Sequence, residues 1–281
     1  MTSDSHQDLA DRTVLVSGAT SGIGRDTARA LARRGAHLVL ACRSAERARS
    51  LADEIAALPG GGTAAHDVVD LADLDSVRAA AEQVVGRGEP VHVLVNNAGV
   101  AGIRGATAQG FELAFGVNHL GPFLFTTLVL DGLGTLGPER VVTVASKAHV
   151  GAKRIDFDAL HRPTPTRTGL VEYQVSKLCN VLFTRELARR KPAVEAYAVH
   201  PGMIASDIWR PIPWPIRPLA VRFMASTEDG AAAVVHAVTA PTSELGGNGG
   251  YIDRTTPTGP GPAVTDDLAG ELWRRSEAWV A

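Results

Sequence analysis

Six short apolar runs, each followed by a stretch with helical spacing, constrain this chain more than any other feature. TVLVS (Thr13 to Ser17), HLVLAC (His37 to Cys42), TAAHDV (Thr63 to Val68), VHVLVN (Val91 to Asn96), RVVTVAS (Arg140 to Ser146) and VEAYAVH (Val194 to His200) read as strands. Their apolar continuity suits strands covered on both faces, so an α/β fold is expected: a single doubly wound parallel sheet of six to seven strands with helices on both sides. IGRDTARALARRG sets Ala28, Leu31 and Ala32 on one helical face, with Arg25, Arg29 and Arg33 largely elsewhere and Gly35 as the stop. YIDR near Tyr251 offers a seventh, edge strand.

Composition narrows the classes. With 281 residues, 45% apolar and 21% charged, the chain has material for one large core. A net charge of −2 gives no footprint for nucleic acid. Cys42 and Cys179 are the two cysteines, far apart and without metal-ligand spacing, which points to a reduced, cytoplasmic setting and no metal site. The N-terminus, MTSDSHQDLADR, is acidic and polar where an export signal is basic and then apolar. No apolar run is read as reaching the roughly 18 residues of a membrane span, so membrane contact is not expected.

VSGATSGIGRD follows the first strand and opens the first helix. Gly18 suits a tight turn, Gly22 leaves room for a pyrophosphate, and Gly24 lets helix and strand pack closely, while the first N–H groups of the helix, around Ser21 and Ile23, face the phosphates. The segment therefore reads as a dinucleotide site in a Rossmann fold. The spacing is G-x-x-x-G-x-G rather than G-x-G-x-x-G, and a purely structural turn is the alternative. The second strand ends Ala41-Cys42-Arg43-Ser44, with no acid before Glu46. An acid there would bind a ribose hydroxyl, whereas Arg43 can grip a 2′-phosphate, so NADP(H) is expected over NAD(H); a surface arginine is the bland alternative.

EYQVSKLCNVL places Tyr173 and Lys177 one helical turn apart, in a chain with only three tyrosines. A free phenol titrates near 10; an ammonium about 4 Å away at an effective dielectric near 20 is worth ~4 kcal/mol, enough to bring it toward 7. Such a phenol is tuned as a general acid/base. Ser146, at the carboxyl end of its strand, sits where parallel sheets bind ligands and can donate to a substrate carbonyl; a turn serine is the alternative. His119, His149 and His200 show no carboxylate or metal partner and are assigned no catalysis.

With the glycine turn, NNAG (Asn96 to Gly99), VNHLG (Val117 to Gly121), Ser146, YQVSK (Tyr173 to Lys177) and HPG (His200 to Gly202) in this order, the chain resembles the short-chain dehydrogenase/reductase family. LACRS, DLADLDSVR, VNHLGPFLFT and SKLCNVLFTRELARR look like its retinol-dehydrogenase-like branch, which includes bacterial ketoreductases of secondary metabolism. The resemblance implies catalytic positions at Asn118, Ser146, Tyr173 and Lys177, with Asn118 holding a water that relays protons to Lys177. It implies cofactor contacts at Asp70 and Leu71, with Asp67 as an alternative register. Asn96, Asn97, Ala98 and Gly99 would lie along the dinucleotide, and Pro201, Gly202, Ile204 and Ser206 would hold its nicotinamide end.

The implied organisation is a polar tail over 1–11, a dinucleotide-binding catalytic domain over 12–255 and a Pro/Gly linker with a C-terminal helix over 256–281. SDIWRPIPWPIRPLAVRFMA, within an irregular insertion at 203–225, reads as a lid over a bulky hydrophobic or polycyclic ketone, with interfacial membrane contact as its rival. A catalytically silent NADP-binding regulatory module is the competing functional class. RELARR and the helix around Asn118 to Leu133 are candidate faces for a homo-oligomer by analogy.

Overall fold

The computed structural model describes residues 8–204 and 225–281. One sheet runs through them in the order β3-β2-β1-β4-β5-β6-β7-β8. Its strands are β1 (Thr13–Ser17), β2 (His37–Cys42), β3 (Ala64–Val68), β4 (Val93–Asn96), β5 (Arg140–Val144), β6 (Glu195–His200), β7 (Tyr251–Asp253) and β8 (Thr256–Thr258). The six expected runs are all strands, shorter by one or two residues at several ends. All neighbours pair in parallel except β7 and β8.

β7 is therefore not the edge. The edge is β8, which falls in the segment expected to be a linker. Pro257 hides it from a pattern search, yet an outermost strand tolerates a residue without an N–H, and Thr256–Thr258 is exposed throughout.

The pleat divides the strand side chains between two cores. Leu15, Val39, Ala41, Leu94, Val141 and Ala196 point to one face. Val14, Val16, Leu38, Leu40, Val93, Val95, Val142 and Val199 point to the other. On the second face lie α1 (Gly22–Arg33), α2 (Ala45–Ala56) and α7 (Thr227–Thr239); Ala28, Leu31 and Ala32 of α1 are fully buried there. The first face is covered by α3 (Leu74–Gly86), α5 (Gly121–Leu133), α6 (Leu170–Arg190) and α8 (Asp266–Val280). Each fully buried leucine in these layers contributes about 1.5–3 kcal/mol, so neither face could be left bare.

The expected helix around Asn118 begins earlier and is not uniform. α4 (Leu113–Phe115) passes through a π-turn, Gly116–Leu120, into α5. The Glu112 carboxylate caps it by accepting the Phe115 N–H at 2.8 Å. Leu113–Leu136 is long and apolar enough to cross a membrane by composition, contrary to the reading that no run is. In the fold 78% of its most apolar window is buried, as in a core helix.

α8 lies along α6. Trp273 stacks on Phe183 with centroids 5.8 Å apart and meets Phe123 edge-on at 5.0 Å, while Arg190 lies over the same indole. Arg185 pairs with Asp266 at 2.5 Å. The RELARR stretch, expected as a face for self-association, is thus engaged by the chain's own last helix.

Candidate active site

The carboxyl ends of β1, β2, β4, β5 and β6 open into one cavity of about 930 Å³. It lies where the strand order reverses between β1 and β4, the place at which open parallel sheets bind ligands.

One end of the cavity is built from backbone. Gly18 adopts φ +67°, and a Cβ there would stand 2.7 Å from the Ala98 Cα. A Cβ on Gly24 would stand 2.3 Å from both the Gly18 carbonyl oxygen and the Asn97 Nδ2. Only glycine permits this approach. The Ser17 hydroxyl accepts from the N–H groups of Asn97 and Ala98, and the Asn97 amide donates back to the carbonyls of Ser17 and Gly18. The turn after β4 therefore braces the glycine turn. Ser21 caps α1 without a side-chain hydrogen bond, so the first-turn N–H groups remain for an anion. Ser21, Gly22, Ile23 and Gly24 all line the cavity.

At the outer rim Arg43 lines the cavity, and so does Arg47, one turn into α2. Among the described residues neither guanidinium has a carboxylate partner, which leaves both for an anion. Asp70 and Leu71 line the wall; the Asp70 carboxylate accepts from Ala72 N–H and its own N–H donates to Ser76 Oγ. The alternative register is excluded: Asp67 is buried away from the cavity in a two-pronged ion pair with Arg87. Asn96 is likewise turned aside, donating to Thr126 Oγ1 at 2.9 Å, while Asn97, Ala98 and Gly99 face the cavity.

The other end is built from side chains. Ser146, Tyr173 and Lys177 line the cavity together. Ser146 caps a 3-10 turn by accepting the Ala148 N–H at 3.2 Å. Burial raises the Tyr173 phenol above its ordinary value, and a hydrogen bond with the Ser146 side chain partly offsets this. The sequence-based expectation of a phenol lowered toward neutrality is not met. Lys177 reaches past the phenol ring, its Nζ 5.8 Å from the centroid, and donates to the Val144 carbonyl at 2.7 Å. Its own burial brings it down to about 8. The Lys177 ammonium thus donates its hydrogen bond to a backbone carbonyl rather than to the phenol oxygen.

Asn118 does not line the cavity. Carried by the π-turn, its amide accepts from Val100 N–H at 2.7 Å and donates to Val100 O and to Ser176 Oγ. A Cβ on Gly99 would meet the Asn118 Oδ1 at 3.2 Å and the Lys177 Nζ at 3.5 Å, so Asn118 and Lys177 crowd the same glycine. Through these bonds Asn118 holds the Val100 loop and α6 in place, the backbone-bonded role that is the alternative to holding a water and can coexist with it. Pro201, Gly202 and Ile204 close the cavity below β6. Ser206 and nearly all of the expected lid lie outside the described residues.

A glycine turn over a helix start, a two-arginine rim and a Ser/Tyr/Lys cluster whose Tyr173 and Lys177 are buried together fit a dinucleotide and a reacting carbonyl. Comparison decides the family: residues 12–156 match the short chain dehydrogenase family. The chain is a short-chain dehydrogenase/reductase. Among curated relatives it is 38% identical to human retinol dehydrogenase 13 over 97% of this chain and 85% of that one. It is 45% identical to human dehydrogenase/reductase SDR family member 13, covering 75% of this chain but 56% of that one. With human retinol dehydrogenase 11 the identity is 44%, over 72% of this chain and 64% of the relative. Against the second and third of these the chain spans less than two thirds of the relative's length. These matches place it in the retinol-dehydrogenase-like branch. A solved structure of an uncharacterized protein from Mycobacterium paratuberculosis superposes with TM-score 0.77 at 32% identity, covering 99% and 98% of the two chains. A structure described as an NAD(P)-dependent gluconate 5-dehydrogenase from Beutenbergia cavernae, with NADP bound at low occupancy, gives 0.67 at 29% identity, over 89% of this chain and 97% of that one.

Sequence reasoning missed several residues of this dehydrogenase's cavity. Arg47 is four residues past Arg43, a spacing that could have flagged it. Ile103, Leu113, Val117 and Met203 add apolar lining to the same cavity, and no periodic signal marks them because they come from three separate segments.

Proposed function

We propose that the protein is an NADP(H)-dependent ketoreductase, moving hydride between the nicotinamide and a carbonyl/alcohol pair on a bulky hydrophobic or polycyclic substrate. The observation that carries this reading is that Ser146, Tyr173 and Lys177 share one cavity with the glycine turn. The bound dinucleotide supplies the hydride. The chain's residues supply position and a proton. Ser146 Oγ donates to the substrate carbonyl oxygen and stabilises the charge that develops there. Tyr173 gives that oxygen its proton. Because burial raises the phenol, it carries its proton at neutral pH and can act as the acid when a carbonyl is reduced. Lys177, at about 8, is largely charged at pH 7 and sets its ammonium 5.8 Å from the Tyr173 ring centroid, where it stabilises the phenolate left after proton transfer.

Arg43 and Arg47 support the choice of NADP(H), and the NADP reported in the Beutenbergia relative agrees with it. The lining by Ile103, Leu113, Val117 and Met203 supports an apolar substrate, over which the 203–225 insertion would close. Two buried, unpaired thiols, with burial pushing Cys42 up to about 11, suit a cytoplasmic setting. The test is nicotinamide oxidation followed with NADPH and NADH across a panel of ketones and aldehydes. Turnover with NADPH is expected; tight NADPH binding with no turnover on any carbonyl would instead mark the silent binding module. Failure to pellet with liposomes is expected if the insertion is a lid.

A further inference from the structure

We infer that His149 is a positioning residue of the active site: its neutral imidazole fixes the backbone of Ser146 and ties that turn to the segment following β8. The inference rests on the functional reading above for its kinetic consequences, though not for its geometry.

Ser146 opens a short 3-10 turn, Lys147–Gly151, and such a turn has few bonds of its own with which to hold a hydroxyl in place. His149 supplies two. Its backbone N–H donates to the Ser146 carbonyl at 3.1 Å, and its ring Nδ1 meets the same oxygen at 2.7 Å. On the far side of the ring, Nε2 accepts the N–H of Gly261 at 2.9 Å. A backbone N–H can only donate and a carbonyl can only accept. The ring must therefore carry its hydrogen on Nδ1 and a lone pair on Nε2, so one of the three protonation forms satisfies both partners.

The surroundings enforce this. His149 is 1% exposed, with the Tyr251 ring edge-on at 4.8 Å. A Cβ on Gly261 would stand 3.3 Å from the ring Cδ2 and Nε2, so the GPGP stretch is seated directly on the imidazole. The ionisable groups nearby are Lys147 on the same turn, Tyr251 and Asp253 on β7, Arg254 just after β7, and His200 at the end of β6. Protonating His149 would set a second ring N–H against the Gly261 N–H and add a cation beside Lys147. Burial lowers its affinity for that proton.

The segment expected to be a linker is thus part of the catalytic framework. Its hold on Ser146 passes through one ring, while Ser146 shares the cavity with the Tyr173 phenol.

Two substitutions separate the bonds. His149→Asn places an amide N–H near the position of Nδ1 and keeps the link to Ser146; His149→Gln places an amide oxygen near Nε2, keeping Gly261 and releasing Ser146. With NADPH and an accepted ketone, His149→Gln should lose roughly 10- to 100-fold in kcat, the usual scale for groups that orient a reacting residue. His149→Asn should stay within about threefold of wild type, and both should keep KM for NADPH within about twofold. Comparable losses in the two variants, or none in His149→Gln, would overturn the inference. Nitrogen NMR of His149 in the wild-type protein reads the tether without turnover: the Nδ1–H tautomer at neutral pH supports it, and the Nε2–H tautomer overturns it. A wild-type protein inactive on every carbonyl would remove the functional reading and leave this spectrum to judge the tether.

Discussion

The two ends of the cavity are made differently. The nucleotide end depends on what is absent: no Cβ at Gly18 or Gly24, with backbone N–H groups and a Ser17–Asn97 brace around the gap. The catalytic end depends on buried polar side chains, each held by a backbone group of another element. Lys177 is fixed on Val144 O, Asn118 on Val100 and His149 between Ser146 and Gly261. One end therefore fails when an atom is added, the other when a hydrogen bond is removed.

That difference can be broken or sharpened by experiment. Of the substitutions that contrast the two ends, Ser146→Ala should have the largest effect, lowering kcat about 10²- to 10³-fold as the donor to the developing oxyanion is lost. Its affinity for NADPH, measured by fluorescence titration, should stay within about twofold. Gly24→Ala should do the reverse. Its added Cβ would stand 2.3 Å from the Gly18 carbonyl oxygen, so the turn must shift, weakening NADPH roughly 30-fold or about 2 kcal/mol, with kcat at saturation largely retained. If either variant moved both quantities equally, the two ends would not be separable.

Arg43→Ser comes next. Loss of a charge-assisted contact to the 2′-phosphate should cut the preference for NADPH over NADH about tenfold, and Arg47→Ser, on the same rim, should cut it less. Unchanged preference in both would remove the case for NADP(H).

The smallest effect lies in stability. His119 is buried within the π-turn that carries Asn118, its ring hydrogen-bonded to Ser276 Oγ at 3.0 Å, and desolvation lowers it to about 3 from 6.5. The unfolded chain binds this proton first as pH falls below 6.5, so stability drops between 6.5 and about 3, by at most ~1.4 kcal/mol per pH unit. Urea unfolding at pH 7.0 and pH 5.5 should show a smaller difference in His119→Gln than in wild type.

The contrast also explains what could be read in advance. β1 and β2 carry their buried runs openly and match residue for residue, and the three glycines all line the cavity. Ser146, Tyr173 and Lys177 were legible because their types and spacing imply chemistry. What could not be read was the third dimension of the polar network. Nothing in EYQVSK says that Lys177 will prefer Val144 O to the phenol, and nothing in VNHLG says that Asn118 will bond to Val100 and Ser176. Likewise, GPGP looks like a linker until His149 is found beneath it. Long-range partners such as these are set by packing, which leaves no local period in the chain.

The central claim is that the Tyr173 phenol delivers the proton in a cavity where the dinucleotide binds independently of it. Its most direct test is single-turnover NADPH oxidation by Tyr173→Phe, alongside an NADPH titration of the same variant. The prediction is near wild-type NADPH affinity with reduction slowed about 10²- to 10⁴-fold. Reduction at the wild-type rate by the phenylalanine variant would contradict it.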